Sequence, residues 1–154
     1  MSAQLNLVPH YRRMTTADLD AVLRIENHVY AHPWTRGNFG DSLEAGYRCL
    51  IMEVAGDIAG YAIVMIGAGE AHLLNLSVAD AWQRRGLGRD LLHQVINLAR
   101  REAAERLLLE VRESNVAAQA LYQGSGFLRI AQRHDYYPAR RGREDAIVME
   151  RTLR

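Results

Sequence analysis

Residues 78–89 read Val-Ala-Asp-Ala-Trp-Gln-Arg-Arg-Gly-Leu-Gly-Arg, between an apolar strand-like run and a long amphipathic one. Glycine has no Cβ, so backbone amides around Gly86 and Gly88 can approach a ligand closely. Amides at a helix start, aided by the helix dipole, attract phosphate oxygens. Arg84, Arg85 and Arg89 add positive charge, and the set suits a pyrophosphate. The competing reading is a glycine-containing helix start with solvated arginines. Two better-known phosphate loops are excluded. A P-loop needs a lysine, and this chain has none; a dinucleotide fingerprint needs a third glycine, which residues 90–92 do not supply.

A second group of residues could move protons. Glu110 sits in the apolar run Leu107-Leu108-Leu109-Glu110-Val111. A carboxylate there points outward, pairs with an arginine such as Arg112, or has a chemical task. Strand alternation puts it on the face of Leu108 and Arg112, and partial burial is expected to raise its pKa. Tyr122 on its own reads as a packing tyrosine at a helix–sheet contact, its phenol of pKa near 10 protonated at neutral pH. Asn115 suits a helix N-cap. Tyr136 and Tyr137, before Pro138, form either a lip between the last two strands or exposed hairpin aromatics. Arg140, Arg141 and Arg143 are a solvated loop or a contact for a partner's acidic surface. His28 and His32 are four apart, but Pro33 adjoins the second, and no metal is expected. Cys49, in a strand context, reads as a small buried hydrophobe rather than a nucleophile.

These residues need a frame to hold them. Residues 8–14 read as a first strand, and Thr15 can cap a helix carrying Leu19, Val22, Leu23, Ile25 and Val29, which Pro33 should end or bend. A weaker helix is expected over 35–43. Runs 49–54, 58–66 and 71–78, separated by short glycine-containing turns, predict an antiparallel meander. Residues 86–104 have the period of a long amphipathic helix. A buried strand at 107–111, a short helix at 115–123 and two last strands at 127–133 and 146–153, around an irregular loop, complete an α+β plan with one strand–helix–strand crossover.

Composition bounds the function. The chain has 154 residues, 49% of them hydrophobic, enough for one domain over 1–154 with a sizeable core. All 19 basic residues are arginine; against 18 acids they leave a net charge of +1. That lacks the dense positive field of a typical nucleic-acid binder. No apolar run approaches the ~18 residues of a membrane span. The opening Met1-Ser2-Ala3-Gln4-Leu5 carries no basic-then-apolar leader, and one cysteine makes no internal disulfide. A cytoplasmic protein is expected, and nothing in the sequence speaks to oligomeric state.

Gln83-Arg84-Arg85-Gly86-Leu87-Gly88 fits the [QR]-x-x-G-x-[GA] signature of the GNAT superfamily, and the element order resembles that fold over nearly the whole chain. Leu109-Glu110-Val111-Arg112, Ser114-Asn115, Ala120-Leu121-Tyr122 and Gly126-Phe127 resemble its second half. Ile25-Glu26, Pro33-Trp34, Asp135-Tyr136-Tyr137-Pro138 and Gly142-Arg143-Glu144-Asp145-Ala146 resemble the RimI-type branch, the ribosomal-protein-alanine N-acetyltransferases. The resemblance implies a mixed, mostly antiparallel sheet of about seven strands with helices on both faces. It implies acetyl-CoA as acetyl donor, without a metal, and direct attack in a ternary complex. The implied acceptor is the N-terminal alanine of small-subunit ribosomal protein S18, with no nucleic acid or membrane as partner. It implies Glu110 as general base and Tyr122 as general acid. The cofactor would lie on the backbone of Leu76, Ser77 and Val78, on Arg84, Arg85, Gly86, Leu87, Gly88 and Arg89, and on Asn115; Tyr136 and Tyr137 would bind acceptor. The alternatives are the same chemistry on a small-molecule amine, or a non-catalytic acetyl-CoA-binding regulator. Two positions depart from the branch: Tyr30, where another aromatic is usual, and Asp135, which would favour basic second residues in the acceptor.

Overall fold

The computed structural model describes residues 7–153; the Met1–Leu5 opening lies outside them. In chain order the elements are β1 (His10–Arg13), α1 (Leu19–Val29), α2 (Arg36–Glu44), β2 (Arg48–Val54), β3 (Asp57–Gly67) and β4 (Glu70–Val78). Then come α3 (Leu87–Arg101), β5 (Arg106–Arg112), α4 (Val116–Gly124), β6 (Leu128–Pro138) and β7 (Arg143–Thr152). The strands form one sheet in the order β1-β2-β3-β4-β5-β7-β6. Only β4 and β5 are parallel, joined by the α3 crossover. This is the mixed, mostly antiparallel seven-strand sheet that the sequence implies.

Helices cover both faces. Leu91, Leu92, Val95 and Ile96 of α3, with Tyr122 of α4, pack on Val64, Leu73, Leu107 and Leu109. On the other face Leu19, Val22 and Phe39 pack on Cys49, Ile51, Tyr61 and Ile63. Burial alternates along β5, so Leu107, Leu109 and Val111 face α3 while Leu108, Glu110 and Arg112 face away. The meander turns fit their residues. Ala55 and Gly56 (φ 53° and 83°), then Ala68 and Gly69 (φ 52° and 80°), are consecutive left-handed pairs, the backbone that two-residue hairpins favour. Helix α2 forms despite Gly37 and Gly40 because Thr35 and Asn38 cap it reciprocally: Thr35 Oγ1 accepts from the Asn38 amide at 3.1 Å, and Asn38 Oδ1 accepts from the Thr35 amide at 2.9 Å.

Two irregularities shape the middle of the sheet. Between β3 and β4 the register shifts at Ile63/Val64: Val64 pairs with Leu73 and Ile63 with Asn75, leaving Leu74 as an extra residue. A bulge of this kind bends its strand. Parallel pairing of β4 with β5 runs from Glu70↔Arg106 to Leu73↔Leu109 and stops there. The bulge and the parting of the two strands coincide.

The structure corrects two expectations. Pro33 does not end α1, which stops at Val29 when Tyr30 turns extended (φ −114°, ψ 139°). The irregular loop between the last strands is only residues 139–142, because β6 runs on to Pro138 and β7 starts at Arg143. Tyr136 and Tyr137 are therefore strand residues, beyond a bulge where Asp135 has φ 52°.

Core position decides the cost of truncation. Leu92 is fully buried and Leu128 is 71% exposed. Leu92→Ala is expected to lose about 2–5 kcal/mol of stability, and Leu128→Ala less than about 0.5 kcal/mol, as read by urea unfolding.

Candidate active site

Past Leu73 and Leu109 the parting strands open a cleft of about 290 Å³. Leu74, Asn75 and Leu76 of β4 form one wall, and Leu109 to Arg112 of β5 the other. Helix α4 closes one side with Tyr122, and the end of α1 closes the other with Glu26 and Tyr30. Tyr137 of β6 and Asn115 complete the lining.

Glu110 reaches the cleft as alternation predicts, half-buried on the face of Leu108 and Arg112. It is paired, but not with Arg112. His72 of β4 lies with Nε2 3.3 Å from Oε2, and Arg133 of β6 with Nε 3.7 Å from Oε1. Burial was expected to raise the Glu110 pKa; the structure reverses that. The hydrogen bond shared with His72 outweighs desolvation, the electrostatic influence of His72 and Arg133 adds to it, and the carboxyl is held below the ordinary glutamate range. Glu110 is therefore ionised at neutral pH, the form that accepts a proton.

Tyr122 is buried in α4, its ring edge-on to Phe127 at 5.7 Å. Among the described residues its hydroxyl has no protein partner, although the ring lines the cleft. Burial raises its pKa further above the phenol value, so it is a proton donor and not a base at neutral pH. Asn115 caps α4, its Oδ1 accepting from the Ala118 amide at 3.1 Å, and it lines the cleft as well.

Arg112 has other work. Its guanidinium lies 4.5 Å from the Tyr137 ring centroid, donates to the Pro138 carbonyl at 2.8 Å and reaches Glu144 at 3.1 Å. Glu144 also accepts from the Ser114 amide at 2.7 Å. These contacts set Tyr137 as a wall of the cleft. Tyr136 faces out, near Arg133, and is not part of the lining. Of the two tyrosines expected to bind acceptor, only Tyr137 meets the cleft. The carboxylate of Asp145 holds the bulge, accepting from the Asp135 amide at 2.9 Å and from Gln132 at 2.6 Å.

The glycine loop lies past the end of β4. Gly86 caps α3 in the left-handed region (φ 77°), a conformation that favours glycine. The free amides of the first α3 turn follow at Leu87, Gly88 and Arg89. A Cβ on Gly88 would meet nothing beyond its own helix turn closer than the Leu121 side chain at 3.7 Å. Arg84 is itself left-handed (φ 62°), Arg85 stacks over Trp82 at 5.2 Å, and the end of the Arg89 side chain lies beside Gly124 of α4. Open helix amides flanked by arginines, just past the end of the strand that walls the cleft, fit an anionic diphosphate with a long thin arm. Leu76 lines the cleft, while Ser77 turns away into a buried network and Val78 lies outside the lining. Among the described residues no group of three or more His, Cys, Asp or Glu could hold a metal, and no helix is long and apolar enough to cross a membrane.

Sequence reasoning missed the floor of this cleft. Glu26, only 2% exposed, accepts from Tyr61 Oη at 2.6 Å, Asn75 Nδ2 at 3.1 Å and the Trp34 amide at 2.9 Å. Ser77 Oγ donates to Asn75 Oδ1 at 2.7 Å, and Tyr30 Oη meets Ser77 Oγ at 2.8 Å and the Leu76 carbonyl at 3.1 Å. His72 was missed too. The signal was present: His72, Asn75 and Ser77 are polar residues in an otherwise apolar strand, as Glu110 is in β5.

A model of the acetyltransferase (GNAT) family matches residues 19–127. The [ribosomal protein bS18]-alanine N-acetyltransferase of Escherichia coli strain K12 is 40% identical over 136 residues, 88% of this chain and 92% of that protein. The protein of the same name from Haemophilus influenzae is 33% identical over 138 residues, covering 89% and 94%. The crystal structure of the ribosomal-protein-S18-alanine N-acetyltransferase from Escherichia coli superposes with a TM-score of 0.89 at 37% identity, covering 95% of this chain and 94% of that one. A Salmonella typhimurium protein solved with its cofactor acetyl-CoA superposes with a TM-score of 0.80 at 25% identity, covering 96% and 95%.

The depressed Glu110 pKa carries a sign. A carboxyl lower in the folded than in the unfolded state contributes stability above its unfolded value and loses it as pH falls through the folded one. A carbon-13 NMR titration is expected to find the Glu110 midpoint below that of an ordinary glutamate, and to find it raised in His72→Ala.

Proposed function

The chain belongs to the acetyltransferase (GNAT) family and is an acetyl-CoA-dependent N-acetyltransferase, and from that premise we propose that it acetylates the N-terminal α-amine of a protein, the N-terminal alanine of small-subunit ribosomal protein S18. The acceptor is supported by 40% identity over 88% of the chain to an enzyme named for that reaction. The observation that carries the mechanism is one cleft lined by an ionised carboxylate, Glu110, and a protonated phenol, Tyr122. A ribosomal acceptor makes the cytoplasm the place of reaction, and residues 1–154 act as one acetyltransferase domain.

Acetyl-CoA supplies the acetyl group as a thioester. Glu110 takes a proton from the acceptor amine, directly or through one water. The task is mild, because an α-amine has a reference pKa of about 7.7–8.0 and is partly neutral near pH 7.5. Tyr122 gives a proton to the departing sulfur. The first-turn amides of α3 at Leu87, Gly88 and Arg89, with Arg84 and Arg85, hold the diphosphate. The Leu76–Val78 backbone and Asn115 meet the pantetheine arm, and Tyr137 bounds the acceptor side.

Steady-state kinetics with a peptide bearing a free N-terminal alanine test the roles. Glu110→Gln and Tyr122→Phe are each expected to lower kcat about 100-fold or more, with both KM values little changed; unchanged kcat in both would refute the assignment. Arg84→Ala combined with Arg85→Ala is expected to raise KM for acetyl-CoA about tenfold with kcat held. Mass spectrometry of the peptide product locates the acetyl group on the α-amine.

A further inference from the structure

Acetyl transfer to an α-ammonium releases protons that need a route out. The ammonium has three; the amide keeps one, one replaces the proton that Tyr122 gives to the thiol, and one leaves to solvent. The N–C bond forms as the C–S bond breaks, and the electron pair leaves with sulfur. Glu110, once protonated, is unable to act again until it is emptied.

The groups facing Glu110 narrow the route. Arg133 of β6 stands 3.7 Å from Oε1, but a guanidinium is always protonated and takes no proton. Tyr137 of β6 keeps its own proton, because burial raises its pKa. His72 of β4 is 3.3 Å from Oε2. It pairs across the ladder with Leu108, two residues before Glu110 on the same face. Its side chain is 26% exposed, against 13% for Glu110, and it does not line the cleft. His72 thus stands behind Glu110, on the solvent side. Among the described residues its Nδ1 has no protein partner. An imidazole has two ring nitrogens, so it can take a proton at one and release a different proton from the other.

We propose that His72 is a proton relay behind Glu110: in the tautomer with its ring proton on Nδ1, Nε2 takes the proton removed from the acceptor amine while Nδ1 releases its own to water, and exchange with solvent returns the ring to that tautomer. This rests on the reading of Glu110 as base. His72 touches neither substrate and acts only through the carboxylate.

The test compares His72→Ala and His72→Gln with the parent, using the alanine-ended peptide and saturating acetyl-CoA in dilute buffer, with and without added imidazole. Circular dichroism melting verifies that each variant is folded. In both, kcat is expected to fall about tenfold, less than for loss of the base itself, with both KM values within about twofold. Imidazole should restore kcat of His72→Ala in proportion to its concentration and leave the parent and Glu110→Gln unaffected. Glutamine can still hydrogen-bond Glu110 but carries no proton onward, so full activity in His72→Gln would make His72 an orienting residue and overturn the relay. Undiminished kcat in His72→Ala, or a fall that imidazole does not rescue, would overturn it as well. If Glu110→Gln is impaired and His72→Ala is not, the relay fails and the base stands; if Glu110→Gln keeps its kcat, the base reading itself has failed.

Discussion

One extra residue in a strand organises this protein. Leu74 bulges β4 against β3, and within a residue of it β4 and β5 stop pairing. Two parallel strands that diverge leave a wedge between them, and among the described residues their inner edges past Leu73 and Leu109 have no strand partner. Outer pairings continue, β4 with β3 as far as Val78 and β5 with β7 to Arg112, so the sheet holds while its middle opens. The cleft is a controlled failure of sheet pairing, and every proposed catalytic group lies around it.

An opening in a sheet has to be lined at a tolerable cost. Burying an isolated carboxylate costs several kcal/mol unless its lone pairs are met. Glu26 has three donors from three parts of the chain: Tyr61 on β3, Asn75 on β4 and the Trp34 amide. Ser77 and Tyr30 extend the network, and the Tyr30 hydroxyl meets the Leu76 carbonyl. Beneath it, Trp34 packs tilted on Phe39 and Phe39 edge-to-face on Tyr61, with centroids 5.1 and 5.7 Å apart. A satisfied polar layer on an aromatic base makes this wall stiff. The far wall relies on charge: Arg112 joins the Tyr137 ring, the Pro138 carbonyl and Glu144, tying the β6–β7 end to β5.

The same geometry gives two carboxylates different work. Glu26 has its oxygens occupied by neutral donors and serves the frame. Glu110 has one cationic guanidinium and one imidazole beside it, faces the cleft, and is held ionised. Tyr122, whose hydroxyl has no protein partner among the described residues and whose pKa is raised by burial, is held protonated. A carboxylate kept charged and a phenol kept neutral across one cleft form an acid–base pair whose states are opposed by environment.

Much of this was legible in the order of residues. The helix start after Arg84-Arg85-Gly86, the alternation that turns Glu110 away from α3, the meander turns and the Asn115 cap are local, and local rules found them. Where sequence reasoning failed, distance along the chain is the reason. Glu110 was expected to rise in pKa because burial is readable from a strand; the partners that lower it, His72 and Arg133, lie 38 and 23 residues away and meet it only across the sheet. Tyr136 and Tyr137 read as a pair, and the β6 bulge held by Asp145 sends them to different surroundings. Residue types and short spacings determined which groups could bind a phosphate or move a proton. Tertiary structure alone decided which of them share a cleft and in which protonation state they wait, because charge states depend on neighbours that folding, not sequence, makes adjacent.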